Sequence, residues 1–374
     1  MLNRIWALAV KEFLHLRHDW WMPAFMIFGG ATELILVGWA TSRPITNLPL
    51  MVLDQNRSAQ SRQVIDAMIN TGAFNLDSEV DQMGTIEQAL VRGSITAALI
   101  VPPDFSQQLE SPTGHPVLFV ILNGAESVPA NAALRAVQGV ASSMGEHIAL
   151  QRLGLNPDSF AAFNPSLRVW FNEALSEALY TTPAELGLML EFTVLLFAAL
   201  AFSRERELGT LEQLLVMPFT AFEIIVGKAL PVVIIGFLDF LLMLTMVHFA
   251  FGVPVRGSLP LLLLLAFAYL LVELGKGLVV SVISRTQHQA FLLVLLVGMA
   301  DFMFTGYAAP VEGMPVVLQW FANLVPAHHW LTILRGLLLK GAGLDVLWPH
   351  VLALLVLGLV IGTFSWRFVR RALD

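Results

Sequence analysis

The chain of 374 residues contains no cysteine. Disulfide staples, thiol catalysis and cysteine-based metal sites are therefore excluded. Charge is scarce as well: 13% of residues are Asp, Glu, Lys or Arg, where soluble domains carry roughly 25%. Hydrophobic residues make up 56% and the mean hydropathy is +0.72, the composition of an integral membrane protein. The net charge of -7 comes with no basic patch, so no nucleic-acid partner is expected. Catalytic signatures are missing too. No Gly-x-x-x-x-Gly-Lys-[Ser/Thr] loop occurs, because Gly227-Lys228 and Gly275-Lys276 both lack the upstream glycine. No Gly-x-Ser-x-Gly turn, His-Glu-x-x-His pair or paired-aspartate motif lies in an apolar run. The chain is not expected to be an enzyme, to carry a catalytic residue or to bind a cofactor.

What the sequence does hold is long apolar runs. Crossing a bilayer takes about 20 apolar residues, and six windows qualify: about Met22–Ser42, Ala184–Ser203, Leu230–Phe251, Leu259–Ile283, Ala290–Ala309 and Val346–Trp366. The first is too long for a signal peptide, contains Glu33 and lacks a cleavage site, so it reads as a retained span. Lys and Arg near the span ends set the orientation. Arg4, Lys11, Arg17, Arg204, Arg206, Lys228, Arg285, Arg367, Arg370 and Arg371 fall on one side; only Arg256, Arg335 and Lys340 fall in short loops on the other. With six spans, both termini are thus expected in the cytoplasm.

Residues 43–182 are a different material, with seven Arg, no Lys and thirteen acids. Strands are expected at Leu50–Leu53, Thr96–Val101 and Val117–Leu122. Helices are expected at Ser58–Asn70, Thr85–Val91 and Ala130–Arg152. Alternation of the two gives a mixed α/β extracytoplasmic domain inserted between spans one and two. It reads either as a folded spacer or dimerisation element, or as a partner-docking site or substrate vestibule.

The densest charge in the chain sits between spans two and three: Arg204, Glu205, Arg206 and Glu207, followed by Leu208-Gly-Thr-Leu-Glu-Gln-Leu-Leu-Val-Met-Pro218. A helix starting near Leu208 places Leu211, Leu214 and Leu215 on one face, with Glu212 and Gln213 elsewhere and Pro218 as its stop. The run with Gly209-Thr210-Leu211-Glu212, Leu215 and Pro218, then Glu223 to Gly227-Lys228, resembles the cytoplasmic loop of ABC exporter permeases of the type-two class. Phe304-Thr-Gly306, Pro310, Met314-Pro315, Leu324-Val-Pro326 and Arg335-Gly336 resemble the segment before the last span of the same family. The likeness covers essentially the whole chain and is nearest the multidrug-efflux-like branch, whose permeases carry a large external domain.

That resemblance implies a mechanism. A separate ATPase subunit binds ATP and Mg in the cytoplasm, two permease copies or a permease and its sister form the export pathway, and loop 203–228 transmits the motion. In the efflux-like branch a periplasmic adaptor protein often completes the route. Arg204, Glu205, Arg206 and Glu207 are expected to exchange salt bridges with the ATPase. The rival reading is a non-transporting polytopic membrane protein whose external domain senses a ligand or anchors an envelope complex.

Four further features remain. Residues 1–21 read as an interfacial helix, with Ile5, Trp6, Leu8, Ala9, Phe13 and Leu16 on lipid and Arg4, Lys11 and Arg17 at its phosphates. His15 and His18 lack a third ligand, and adjacent His328 and His329 diverge by about 100° on a helix, so no metal site is expected. Glu33, Glu191, Asp239, Glu273, Lys276 and Asp301 fall inside spans, where each charge costs about 2.5–3.5 kcal/mol and so faces protein or water. They read either as interhelical glue or as the lining of a path for cationic or amphipathic substrates; Lys276 is expected to be buried and paired, with Glu273 three residues away in reach. Finally, 310–340 holds two apolar pieces too short to cross, Val316–Leu324 and His329–Leu339. With Gly306, Pro310, Pro315, Pro326 and Arg335 they read as a re-entrant segment that gates the outer mouth or merely covers it.

Overall fold

Apolar runs without internal polar partners satisfy their backbone by winding into helices, and the computed structural model is dominated by them. It describes residues 1–41, 45–111, 113–152, 170–172 and 176–373. The expected boundary at 42/43 and the stretches 153–169 and 173–175 of the expected external domain lie outside the described residues. Contacts divide the chain into two units, Met1–Arg43 with Val169–Asp374, and Pro44–Arg168. The first opens with α1 (Leu2–His18) and α2 (Trp21–Thr41).

The second unit is a four-stranded sheet with helices on both faces. Its elements run β1 (Leu48–Asp54), α3 (Ala59–Asn70), β2 (Phe74–Glu79), α4 (Met83–Arg92), β3 (Ala97–Val101), α5 (Phe105–Glu110), β4 (Phe119–Leu122) and α6 (Ser127–Arg152). The strand order is β2-β1-β3-β4, with β1 parallel to β2 and β3, and β4 antiparallel to β3. Alternate residues of β1 enter opposite layers. Leu50 and Val52 pack with Val64, Met68 and Phe105, while Met51 and Leu53 pack with Ile86 and Ala89. Burial on both faces explains the unbroken apolar run of this strand. The edge strand β2 was not expected. Phe-Asn-Leu-Asp-Ser-Glu buries only Phe74 fully, and an edge covered on one side needs too few apolar residues to stand out.

The first unit continues with α7 (Glu177–Glu207), α8 (Leu211–Val216), α9 (Ala221–Phe251), α10 (Leu259–Ile283), α11 (Gln287–Phe304), a 3-10 turn (Val311–Gly313), α12 (Val316–Ala322), α13 (Pro326–Arg335), a π turn (Gly336–Lys340) and α14 (Leu344–Leu373). Among the described residues, five helical stretches are long and apolar enough to cross a membrane: α7, α9, α10, α11 and Leu344–Arg371 of α14. In α2 the qualifying apolar stretch is Met26–Thr41, a shorter helix. The central element is α7, whose apolar core is 89% buried against α2, α9, α10, α11 and α13. By contrast α14 is peripheral, with Leu352, Leu355, Leu359, Val360 and Phe364 exposed. So large an apolar exterior needs a nonaqueous surround.

Candidate functional site: the 204–228 elbow and the buried charges

The elbow is a helix end, a sharp reversal and a second helix start. Helix α7 runs on to Glu207, so Arg204–Glu207 form its last turn, and the short helix begins at Leu211, not near Leu208. Gly209 (φ +70°) ends α7 in the left-handed region. The N–H of Gly209 donates to the Arg206 carbonyl (3.2 Å) and that of Thr210 to the Glu205 carbonyl (2.9 Å), the paired bonds of a Schellman end. Met217 is extended, as a residue before Pro218 should be, and this stops α8. Helix α9 then starts on a capping box. The Glu223 N–H donates to the Thr220 hydroxyl (3.3 Å) and the Thr220 N–H to the Glu223 carboxylate (2.9 Å).

The four charges of the elbow do not stand free for a partner. Arg204 pairs with Asp19. Glu205 is buried and accepts from Lys11 (2.7 Å), Lys228 (3.0 Å) and the Thr210 hydroxyl. Arg206 donates to the Val282 and Ser284 carbonyls (2.8 and 2.5 Å), and Glu207 accepts the Gln287 N–H (2.7 Å). Each of the four charges expected to meet another protein thus has a partner within the chain. For Glu205, which is buried, being left unpaired would be costly. Thr210 and Leu211 are half-buried, Leu214 is buried, and the Leu215 side chain lies outside the described residues. What the elbow leaves exposed is Glu207, Leu208, Gly209, Glu212, Gln213, Val216, Met217 and Pro218, an outward face more apolar than charged.

Helix α1 is the other half of this assembly, not a free interfacial helix. Leu8 and Ala9 are buried against α9, Arg4 donates to the Pro218 carbonyl (2.7 Å), and Lys228 pairs with Glu12 (2.6 Å). Arg4 and Lys11, expected at lipid phosphates, are turned to the elbow instead. The close approach depends on Gly227, where a Cβ would stand 2.6 Å from Leu8 Cβ. Gly227→Leu is expected to push α1 off α9 at a cost of about 1–3 kcal/mol. It should lower the thermal unfolding midpoint and open residues 2–18 to protease; an unchanged cleavage pattern would show that α1 is not held there.

Deeper in the bundle, four of the six polar residues expected inside spans come together. Lys276 Nζ of α10 lies 2.7 Å from Glu273 one turn earlier, 3.3 Å from Glu191 of α7 and 2.5 Å from Asp301 of α11. Tyr269 donates to Glu191 (3.1 Å), and its ring stacks on Trp330 at 5.1 Å between centroids. Three helices are thus tied by one ammonium and three carboxyl groups. Asp239 stands apart on α9, accepting from the Thr193 hydroxyl (3.0 Å). Glu33 also stands apart, on the exposed side of α2 beside Ile35 and Leu36.

Residues 20–367 match the family model described as ABC-2 family transporter protein. The chain belongs to the ABC-2 transporter family. Relatives of this ABC-2 chain include the Escherichia coli K12 protein named probable multidrug ABC transporter permease YbhR, 29% identical over 99% of both chains. The probable multidrug ABC transporter permease YbhS of the same organism is 28% identical over 100% of this chain and 98% of its own. The inner membrane transport permease YhhJ, also of Escherichia coli K12, is 27% identical over 96% and 94%.

The segment of the ABC-2 chain between α11 and α14 splits the expected gate residues into two groups. Gly306 and Arg335 meet at Tyr180 of α7. The Gly306 carbonyl accepts from the Tyr180 hydroxyl (3.1 Å) and the Arg335 guanidinium (3.4 Å), and that guanidinium lies 3.9 Å from the Tyr180 ring centroid. Pro310 precedes the 3-10 turn and Pro315 precedes α12, whereas Pro326 opens α13 as its first residue. Of the two short apolar pieces, α12 leaves Val316, Val317, Trp320 and Phe321 exposed, whereas α13 buries Trp330, Ile333 and Leu334 in the bundle core. Tyr307 donates to Glu185 (2.5 Å); burial, then that bond, pushes its hydroxyl above the usual range, so it remains a donor at neutral pH.

Little in the sequence marked out Tyr180, Glu185, Tyr269, Tyr307 and Trp330. The chain has only three tyrosines, and their hydroxyls hydrogen-bond to Gly306, Glu191 and Glu185 at these clusters. That scarcity was the one available signal. Glu12 of α1 and Asp19 at its C-terminal cap, partners of the elbow, lie in a segment whose basic residues read as lipid contacts.

Proposed function

We propose that this chain is the membrane-spanning permease subunit of an ATP-driven ABC exporter, coupled to a separate cytoplasmic ATPase through residues 203–228. In this reading α2 joins the five longer helices as a sixth span, both termini and the elbow face the cytoplasm, and Pro44–Arg168 forms the core of the extracytoplasmic domain. The observation that carries the reading is the elbow. Its outward face is unspent, while its inward side is bonded to α1 and α9 through the buried Glu205 and to the end of α10 through Arg206, so a push on Leu208, Glu212, Val216 and Met217 reaches several helices at once.

The pathway forms between two copies of this chain or between it and a sister permease. Glu33 faces it from α2, because an exposed carboxylate halfway along an apolar helix is too costly against lipid. The chain binds no nucleotide itself; ATP and Mg act in the partner, and a periplasmic adaptor protein extends the route. Relatives named as probable multidrug permeases make amphipathic compounds the first class to screen.

Co-expression with a P-loop ATPase from the same operon tests the reading. The two should co-purify, and scrambling Gly209-Thr210-Leu211-Glu212 should abolish the complex while the permease stays folded. Retention of the complex after scrambling, or failure of every such ATPase to bind, would overturn it.

A further inference from the structure

We propose that His328, His329 and His350 bind one divalent transition-metal ion, zinc above all, and so staple α13 to α14. Neighbours on one helix, His328 and His329 cannot chelate by themselves. The structure supplies the third ring from another element, the second turn of α14. One ring nitrogen from each histidine lies within 4.8 Å of the other two. The ring centroids are 5.2, 5.3 and 6.1 Å apart.

Two details separate this cluster from chance packing. The Nδ1 atoms of His329 and His350 face each other at 3.1 Å. Tetrahedral zinc with bonds of about 2.0–2.1 Å places its nitrogen ligands ~3.3 Å apart, so this pair already has the spacing of two ligands. The rings are also held from behind. His329 Nε2–H donates to the Asn323 carbonyl (2.9 Å), which leaves its Nδ1 with the lone pair toward His350, and the Thr305 carbonyl stands 3.4 Å from His328 Nδ1. A backbone carbonyl on the far nitrogen is the usual way a ligating imidazole is oriented. Without metal the same trio is self-consistent, His350 Nδ1–H donating to His329.

The donor set names the metal class. Three imidazoles suit zinc, nickel, cobalt or copper, and do not suit Mg or Ca, which take oxygen. His329 is buried, whereas His328 and His350 are half-exposed, which gives an ion a way in and leaves a fourth position for water. Ring closure from 4.8 Å needs only rotation about the broad terminal torsion of each histidine. The staple bears on the bundle interior, because Trp330, next to His329, stacks on Tyr269.

The full chain, purified in nanodiscs through a histidine-free tag and stripped with EDTA, is titrated with zinc sulfate against a chromophoric chelator. One zinc per chain is expected. His350→Ala and His329→Ala should each weaken binding by more than ~100-fold, beyond the losses typical of outer-shell changes, while His15→Ala should leave it unchanged. Cobalt loading of the wild-type chain should give the intense visible bands of a tetrahedral site. Absence of stoichiometric zinc in the wild-type chain, a weak octahedral cobalt spectrum, or a His328/His329/His350 triple alanine variant that binds as tightly would each overturn the proposal. The wild-type measurements decide it even where a variant fails to fold.

Discussion

Lys276→Met is expected to be the most damaging single substitution in the helical unit. It deletes the one ammonium that holds Glu191, Glu273 and Asp301 together. Glu191 and Glu273 are fully buried, so the carboxylates cannot turn to water. Removing one partner of a buried ion pair costs about 3–5 kcal/mol, because the other partner keeps its desolvation penalty without the attraction that offset it. Here three partners are stranded. Thermal unfolding in nanodiscs should show a loss of at least that size, with low yields from the membrane. Asp301→Asn in the Lys276→Met background should recover part of it, since the pair of changes costs less than the sum of the singles when groups share one network. Lys276→Arg should fall between, because a planar guanidinium cannot fill the site of a compact ammonium. Additive losses, or a Lys276→Met chain as stable as the parent, would mean that the cluster does not hold the helices.

Glu205→Ala is expected to have the second largest effect, and a different one. Glu205 is the single acceptor shared by Lys11 of α1, Lys228 of α9 and Thr210 of the elbow. Lys228 has only 1% of its side chain exposed and keeps Glu12 as its other partner, while Lys11, 37% exposed, can turn to water, so the variant costs less than the about 3–5 kcal/mol of a fully stranded buried charge. The damage is local. Helix α1 loses a tether and Thr210 its side-chain acceptor, so hydrogen exchange over residues 2–18 and 208–216 should accelerate while α10 and α11 stay protected. On the proposed function, transport-stimulated ATP hydrolysis should fall with the chain still in the membrane. Glu205→Gln keeps an acceptor but not the charge and should be milder, and Lys11→Met with Glu205→Gln milder still. Full ATPase stimulation in Glu205→Ala would show that the elbow transmits nothing through this contact.

The sequence was most informative where a single segment decides its own structure. The window at Leu259–Ile283 coincides with α10, and those around Ala184–Ser203 and Leu230–Phe251 lie within longer helices. The extra turns are amphipathic or charged and carry no hydropathy signal. Helix α11 ends at Phe304, short of the expected Ala309, because the chain turns at Gly306 (φ +83°). Within the elbow, Pro218 was expected as a helix stop, and α8 does end at the extended Met217 before it, whereas Gly209, placed inside a helix expected from Leu208, instead ends α7.

Partners were far less legible. Arg204 and Glu205 looked like free charges because Asp19, Lys11 and Lys228 lie tens to hundreds of residues away. His328 and His329 looked unable to chelate because His350 belongs to the next helix. Composition and periodicity by themselves determined where the long apolar helices lie, that an α/β unit interrupts them, and how few charges the chain carries. Only the tertiary structure decided which of those charges meet, because periodicity fixes the face a residue occupies on its own helix and says nothing of what is packed against that face.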